Sequence, residues 1–152
     1  KKEVAVGAKF TDTASYGIYK VTSKKNGSGT VEYVKPVNSK VTKADIPSTI
    51  TYAGITYKVT AVGEKAFLNC SKLKTITIGK NVTSIGKRAF YGCKNLKKIS
   101  IKATKLTSKK VGSKAFKGIA AKAVIKVPKS KLSAYKKLLK SKGVGSKITI
   151  KQ

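Results

Sequence analysis

Two neighbouring stretches of the chain decide its fold. Residues 59–81 read VTAVGEKAFLNCSKLKTITIGKN, and residues 82–104 read VTSIGKRAFYGCKNLKKISIKAT. Aligned at a period of 23 residues, they share glycine, cysteine and large apolar residues at equivalent positions. A degenerate third copy, within residues 105–127, follows after a three-residue insertion. One such repeat cannot bury its apolar face alone, so the pattern predicts a stack of coils.

Each copy predicts one strand and one turn. In Leu73-x-x-Ile76-x-Ile78 the alternation directs Ile76 and Ile78 inward and the residues between them outward. The Gly-x-x-Ala-Phe segment then turns the chain. We expect its glycine to permit a tight bend and its phenylalanine to fill the space between coils.

The flanking segments predict caps for the exposed ends of the stack. Residues 1–58 predict an N-terminal β cap, with a strand over 10–21, a turn over 25–29, a strand over 30–34, and an extended stretch over 46–59 that turns at 53–54. Residues 128–152 predict a helix over 131–140, begun by Ser130 and ended by Gly143, and a strand over 147–151. The three parts are expected to form one compact unit.

The repeated Ile/Val-Gly-x-x-Ala-Phe-x-x-Cys-x-x-Leu-x-x-Ile-x-Ile signature resembles the BspA-like leucine-rich-repeat family of bacterial cell-surface proteins. The resemblance is tight over residues 59–101 and looser through 127. It implies a β-rich α/β fold, a short leucine-rich-repeat solenoid of about three coils between two caps. It also implies an exported, secreted or cell-surface protein whose work is adhesion or binding. No signal peptide is visible, and we expect the sequence to be one part of a longer chain.

The residue inventory argues against catalysis. The chain has no histidine and only five carboxylates, which are spread along it. The two cysteines, Cys70 and Cys93, occupy equivalent repeat positions, where the third copy has Ile119. They are expected to be buried free thiols, because the position accepts an apolar residue. We therefore predict no enzyme and no catalytic, cofactor or metal site.

The charge is strongly positive, with 35 Lys and Arg against five Asp and Glu, a net of +30. Such a chain attracts polyanions through counterion release. Only Arg88 is an arginine, and no nucleic-acid-binding motif is present, which argues against specific nucleic-acid recognition. Non-specific polyanion binding, including a less favoured general binding of nucleic acid, and a solvated lysine coat without function both remain open.

The alignment of the repeats predicts a binding face on the strands. We expect an extended acidic ligand to lie across the outward positions of the strands, namely Thr75, Thr77, Lys98, Ser100, Lys102 and Lys126. Candidate partners are an acidic polysaccharide, teichoic acid or a host surface protein. A structural spacer without a ligand of its own is the alternative function. The apolar stripe of the C-terminal helix fits capping or a membrane surface, but no segment is long enough for membrane insertion. The oligomeric state is left open.

Overall fold

The computed structural model describes residues 4–25 and 28–152 as strands with one α-helix near the C-terminus. The elements are β1 (Lys9–Asp12), β2 (Gly17–Lys25), β3 (Ser28–Pro36), β4 (Lys43–Ile46), β5 (Thr49–Tyr52), β6 (Ile55–Val62), β7 (Thr75–Ile78), β8 (Ser84–Ile85), β9 (Lys98–Ile101), β10 (Val124–Lys126), α1 (Leu132–Ser141) and β11 (Thr149–Lys151). They form two sheets around one continuous hydrophobic core.

The repeats build a parallel sheet, which we call the repeat sheet, with strand order β11-β10-β9-β7-β4. Ile76 pairs with Ile99, and Ile99 pairs with Ile125, so the inward isoleucines of successive copies lie side by side. All three are buried, which confirms the predicted alternation along the strands.

The repeat sheet is wider than the three predicted copies. β4 lies within residues 1–58, and β11 lies within residues 128–152, yet both pair in parallel with the strands of the repeats. The sequence Val41-x-x-Ala44-x-Ile46 has the same spacing as Leu73-x-x-Ile76-x-Ile78, and Ala44 pairs with Ile76. Ala44 is smaller than the isoleucine at the equivalent repeat position, so the apolar pattern in the sequence is weaker, although the strand pairs in the same register.

Aromatic rings connect the coils. Phe90 stacks on Phe67 and on Phe116 with 5.2 Å between ring centroids in each pair, and Phe67 stacks on Tyr33 at 5.3 Å. These separations are close to the distance between neighbouring strands, so each coil adds one ring to the column. The prediction that phenylalanine fills the space between coils is confirmed.

The prediction that the repeat glycine permits a tight bend is wrong. Neither Gly86 nor Gly112 is among the residues with positive φ, whereas Arg88, two residues after Gly86, has φ 55°. Gly86 is required for a different reason, since a Cβ atom there would lie 2.4 Å from the backbone nitrogen of Glu64. The next glycine, Gly112, is equally crowded by Lys87. The glycines allow close approach of adjacent coils, and a neighbouring basic residue makes the bend.

The N-terminal part differs in detail from its prediction. The single strand expected over 10–21 is divided into β1 and β2, which pair antiparallel. The turn at Ala53 and Gly54 is confirmed, with φ 53° and 79°, and it joins β5 to β6. The predicted turn over 25–29 contains residues 26 and 27, which lie outside the described residues.

The C-terminal helix is fixed by its buried face. Tyr135, Leu138 and Leu139 are buried, and the Tyr135 hydroxyl donates to the Ala103 carbonyl at 2.7 Å. The same hydroxyl accepts a hydrogen bond from the Leu106 backbone at 3.2 Å. The apolar stripe therefore packs on the protein, which argues against the membrane-surface alternative.

The ends of the predicted helix have different outcomes. Ser130 is not the N-cap, because it lies in a short 3₁₀ turn (Lys129–Lys131), and Lys131 occupies the cap position without a side-chain hydrogen bond. Gly143 has φ 105° just beyond the helix, as a C-terminal stop requires. In the described part of the chain, no helix is long and apolar enough to cross a membrane.

Candidate ligand-binding face

The outward side chains of the repeat sheet form two rows, which together we call the outer face. Strand pairing aligns the first row as Lys43, Thr75, Lys98, Val124 and Thr149, and the second row as Asp45, Thr77, Ser100, Lys126 and Lys151. Neighbouring members of a row are about 4.8 Å apart, the ordinary distance between strands. The face is therefore a regular array in which short hydroxyl and long cationic side chains predominate, with Val124 and Asp45 as the exceptions.

Five of the six predicted site residues border one open concavity of about 580 Å³ on this face. They are Thr75, Thr77, Lys98, Ser100 and Lys126. The sixth, Lys102, borders two adjoining concavities of about 380 and 510 Å³, and Thr77 lines these as well. The structure thus brings the predicted residues together on one side of the repeat sheet.

The 580 Å³ concavity, which we call the lysine concavity, is electrostatically one-sided. Five of its lining residues are Lys97, Lys98, Lys122, Lys126 and Lys151, and none of the described residues that line it is acidic. Thr75, Thr77 and Ser100 supply hydroxyl groups, and Val124 supplies an apolar contact. Lysine offers a flexible point charge with three donors, so this arrangement suits an extended anion without fixed geometry.

Sequence reasoning missed the edge strand β4, and it assigned the predicted strand over 147–151, which is β11, to a cap rather than to the repeat sheet. Lys43 and Asp45 come from β4, and Lys151 comes from β11. The spacing Val41-x-x-Ala44-x-Ile46 was a usable signal for β4. For β11 the only signal was the Ile-x-Ile pair at 148 and 150, which matched a repeat strand but was interpreted as part of a cap.

The cysteines offer no reactive centre. Cys70 and Cys93 are free and buried, which confirms the prediction made for them. The Cys93 Sγ donates to the Phe67 carbonyl at 3.0 Å. Burial raises the pKa of the Cys93 thiol to about 12, and burial also raises the pKa of Cys70. Both side chains thus behave as small apolar groups at neutral pH.

Parallel coils with buried isoleucine and phenylalanine columns and a polar outer sheet define a leucine-rich-repeat solenoid. The family described as BspA type leucine rich repeat region matches residues 37–151 in six copies. The chain belongs to this family, as the sequence signature predicted. The match begins before β4 and includes β11, in agreement with the width of the repeat sheet.

Solved structures share this fold. A leucine rich cell surface protein from Faecalibacterium prausnitzii A2-165 superposes with a TM-score of 0.56 at 23% identity, over 84% of this chain and 34% of that one. A leucine-rich repeat protein from Bacteroides capillosus ATCC 29799 superposes with a TM-score of 0.60 at 20% sequence identity, over 95% of this chain and 99% of that one. The chain spans about a third of the length of the Faecalibacterium protein. No curated protein matches this chain significantly.

Proposed function

We propose that the protein is a non-enzymatic adhesion or binding module, secreted or on the bacterial cell surface, that holds acidic glycopolymers against its outer face. The observation that carries the proposal is the lysine concavity, where five lysines converge without an acidic neighbour among the described lining residues. Envelope polysaccharides, teichoic acid and host glycans have the complementary charge. Family membership and the cell-surface protein among the similar structures support an exported binding module.

The flanking segments serve as caps in this proposal. In this proposal β1, β2, β3, β5 and the first half of β6 shield the first coils, and α1 shields the last ones. Tyr135 supports this role for α1, because its hydroxyl bridges Ala103 and Leu106 in the loop after β9. Capped ends leave the outer face as the open surface of the stack.

Acidic glycopolymers are favoured over nucleic acid for a stereochemical reason. Arginine makes the bidentate contacts that read bases and phosphates, and Arg88 is the only arginine in the chain. Its guanidinium lies 5.7 Å from the ring centroid of Tyr91, and Arg88 does not line the lysine concavity. Lysine therefore supplies the cationic groups of the proposed site.

The test compares two triple variants of equal charge. Lys98, Lys102 and Lys126 are changed together to Gln, and in a matched control Lys35, Lys58 and Lys136, which are exposed elsewhere, are changed to Gln. We expect the first variant to bind teichoic acid at least about tenfold more weakly than the control, because it removes contacts as well as net charge. Affinity is measured by isothermal titration calorimetry near physiological salt.

Equal weakening of both variants would contradict the proposal, since net charge alone would then account for binding. No binding by the unchanged protein to teichoic acid or any acidic glycan would favour the spacer function instead.

A further inference from the structure

A concavity of about 510 Å³ adjoins the lysine concavity at their shared residue Thr77. Its other lining residues are Ala14, Tyr16, Lys43, Asp45 and Lys102. Its chemistry differs from that of its neighbour, because it combines an aromatic ring and a carboxylate with two lysines. We call it the Tyr16 concavity.

Tyr16 is exposed, yet its backbone is firmly held. The residue is 49% exposed and has φ 57°, a left-handed conformation that costs a non-glycine residue free energy. Its carbonyl accepts hydrogen bonds from the Val37 backbone at 2.9 Å and from the Tyr33 hydroxyl at 3.2 Å.

The turn before Tyr16 is braced as well. The Asp12 Oδ2 accepts from the Ser15 backbone at 2.8 Å and from the Ser15 hydroxyl at 2.6 Å. The Ser15 hydroxyl is also 2.6 Å from that of Tyr19, which is buried. The backbone that carries the exposed ring is thus ordered before a ligand packs on it, which lowers the entropic cost of binding.

The surroundings of Tyr16 suit a sugar ring better than a bare anion. The face of an aromatic ring carries negative charge density, which attracts the weakly positive C–H groups of a pyranose. A carboxylate such as Asp45 accepts hydrogen bonds from sugar hydroxyls, but it repels phosphate. Lys43 and Lys102, which line the same space, donate to sugar oxygens or to acidic substituents.

We infer that Tyr16 and Asp45 form a sugar-ring subsite at one end of the outer face. The ligand class is then a glycan whose acidic groups contact the lysine concavity while a hydroxyl-bearing ring packs on Tyr16. The inference rests on the proposed function, which it deepens, because it distinguishes an acidic glycan from a polymer of phosphate alone.

The test uses hyaluronan and inorganic polyphosphate as probes at about 150 mM salt, a concentration at which interactions between exposed charges more than about 8 Å apart are largely screened. Tyr16→Ala should weaken hyaluronan binding by about tenfold, the order of one aromatic stacking contact, and should change polyphosphate binding by less than about twofold. Tyr16→Phe keeps the ring and should retain hyaluronan affinity. Tyr52→Ala removes a ring that is 39% exposed, lies outside both concavities and stacks on Phe10 with 4.1 Å between the ring centroids. It controls for the loss of a packed aromatic ring and should bind as the unchanged protein does.

Asp45→Asn is a second test, in which the binding of the two probes should change in opposite directions. Removing this carboxylate should strengthen polyphosphate binding, because a repulsive charge is lost, and should weaken hyaluronan binding. Far-ultraviolet circular dichroism and thermal unfolding verify that each variant remains folded.

Two results would overturn the subsite. In the first, Tyr16→Ala binds hyaluronan as the unchanged protein does, whereas the triple variant of Lys98, Lys102 and Lys126 no longer binds it. The subsite would then be refuted, but the proposed function would still hold. In the second, Tyr16→Ala weakens the binding of single-stranded oligothymidine but not the binding of hyaluronan. The Tyr16 ring would then stack on nucleic-acid bases rather than on a sugar ring. Failure of the unchanged protein to bind any acidic glycan would instead refute the proposed function itself.

Discussion

At the scale of single residues, the stack depends on positions where one coil touches the backbone of the next. Gly86 and Gly112 lie so close to the preceding coil that a methyl group would contact backbone atoms rather than a flexible side chain. Because backbone atoms cannot turn aside as a rotamer does, adjacent coils would have to separate. The glycine column therefore sets the spacing that brings the outer-face residues into register.

We expect Gly86→Ala to destabilise the protein by about 3 kcal/mol or more, at the upper end of the cost of overpacking. Gly145→Ala is the matched control, since among the described residues, its two chain neighbours aside, none comes within 4 Å of the Cβ position there. Urea unfolding followed by circular dichroism measures both variants. A similarly small loss of unfolding free energy in both variants would contradict this expectation, because the coils could then separate at little cost.

The thiols provide a second test at this scale. Burial raises the pKa of Cys93 to about 12, so little thiolate exists in the folded protein at pH 8. We expect Cys70 and Cys93 to be inert to Ellman's reagent at that pH in the native state. Two thiols per chain should react once the unreduced protein is unfolded in guanidinium chloride. Fewer than two would indicate a disulfide, and rapid reaction of the native protein would contradict the burial.

At the scale of elements, the aromatic column and the C-terminal helix join parts that are distant in sequence. Tyr135 on α1 reaches back to Ala103 and Leu106, so its hydroxyl fastens the helix to the end of the second predicted repeat. These hydrogen bonds are buried, and their loss would leave a carbonyl and an amide without partners.

Tyr135→Phe should therefore lower the free energy of unfolding by about 1–3 kcal/mol, the usual cost of an unsatisfied buried group. Tyr52→Phe removes a hydroxyl from a partly exposed tyrosine and should change stability by less than about 0.5 kcal/mol. Thermal unfolding of both variants measures the difference. An equal effect would mean that the Tyr135 hydroxyl has no fastening role.

The sequence predicted elements where periodicity and packing agree. The Ile-x-Ile strands, the phenylalanine column and the buried cysteines follow from a 23-residue repeat that is nearly intact in two copies. β4 was missed because Ala44 replaces the isoleucine of the repeat, which weakens the apolar signal without changing the pairing. The outer-face positions of β7, β9 and β10 were predictable because strand alternation fixes them once the register is known.

The Tyr16 concavity could not be predicted, because it depends on tertiary contacts between segments with no shared pattern. Tyr16 precedes β2, Asp45 lies on β4, and Lys102 follows β9. The role of the repeat glycine was missed for a related reason, since a close approach between coils leaves no mark on local propensity. The left-handed φ of Arg88, a residue type that rarely adopts it, also has no sequence signal.

At the scale of the whole molecule, the net charge of +30 repels itself within a small volume. We expect the melting temperature to rise as sodium chloride increases from about 10 to 150 mM, because the Debye length shrinks from about 30 to 8 Å. Differential scanning calorimetry at constant pH measures this rise. A melting temperature that falls with added salt would show that attractive ion pairs outweigh the repulsion.

At this scale the proposal is that the outer face prefers acidic glycopolymers to other polyanions of equal charge. The most direct measurement is binding of the protein to teichoic acid, heparin and duplex DNA, matched in total charge, across a salt series. Attachment by charge alone should weaken by about tenfold or more between 50 and 200 mM salt and should rank the polymers by charge density. We predict that teichoic acid, which has a lower charge density than DNA, remains bound at about 150 mM salt after DNA has dissociated. Loss of all three polymers in order of charge density would contradict the claim.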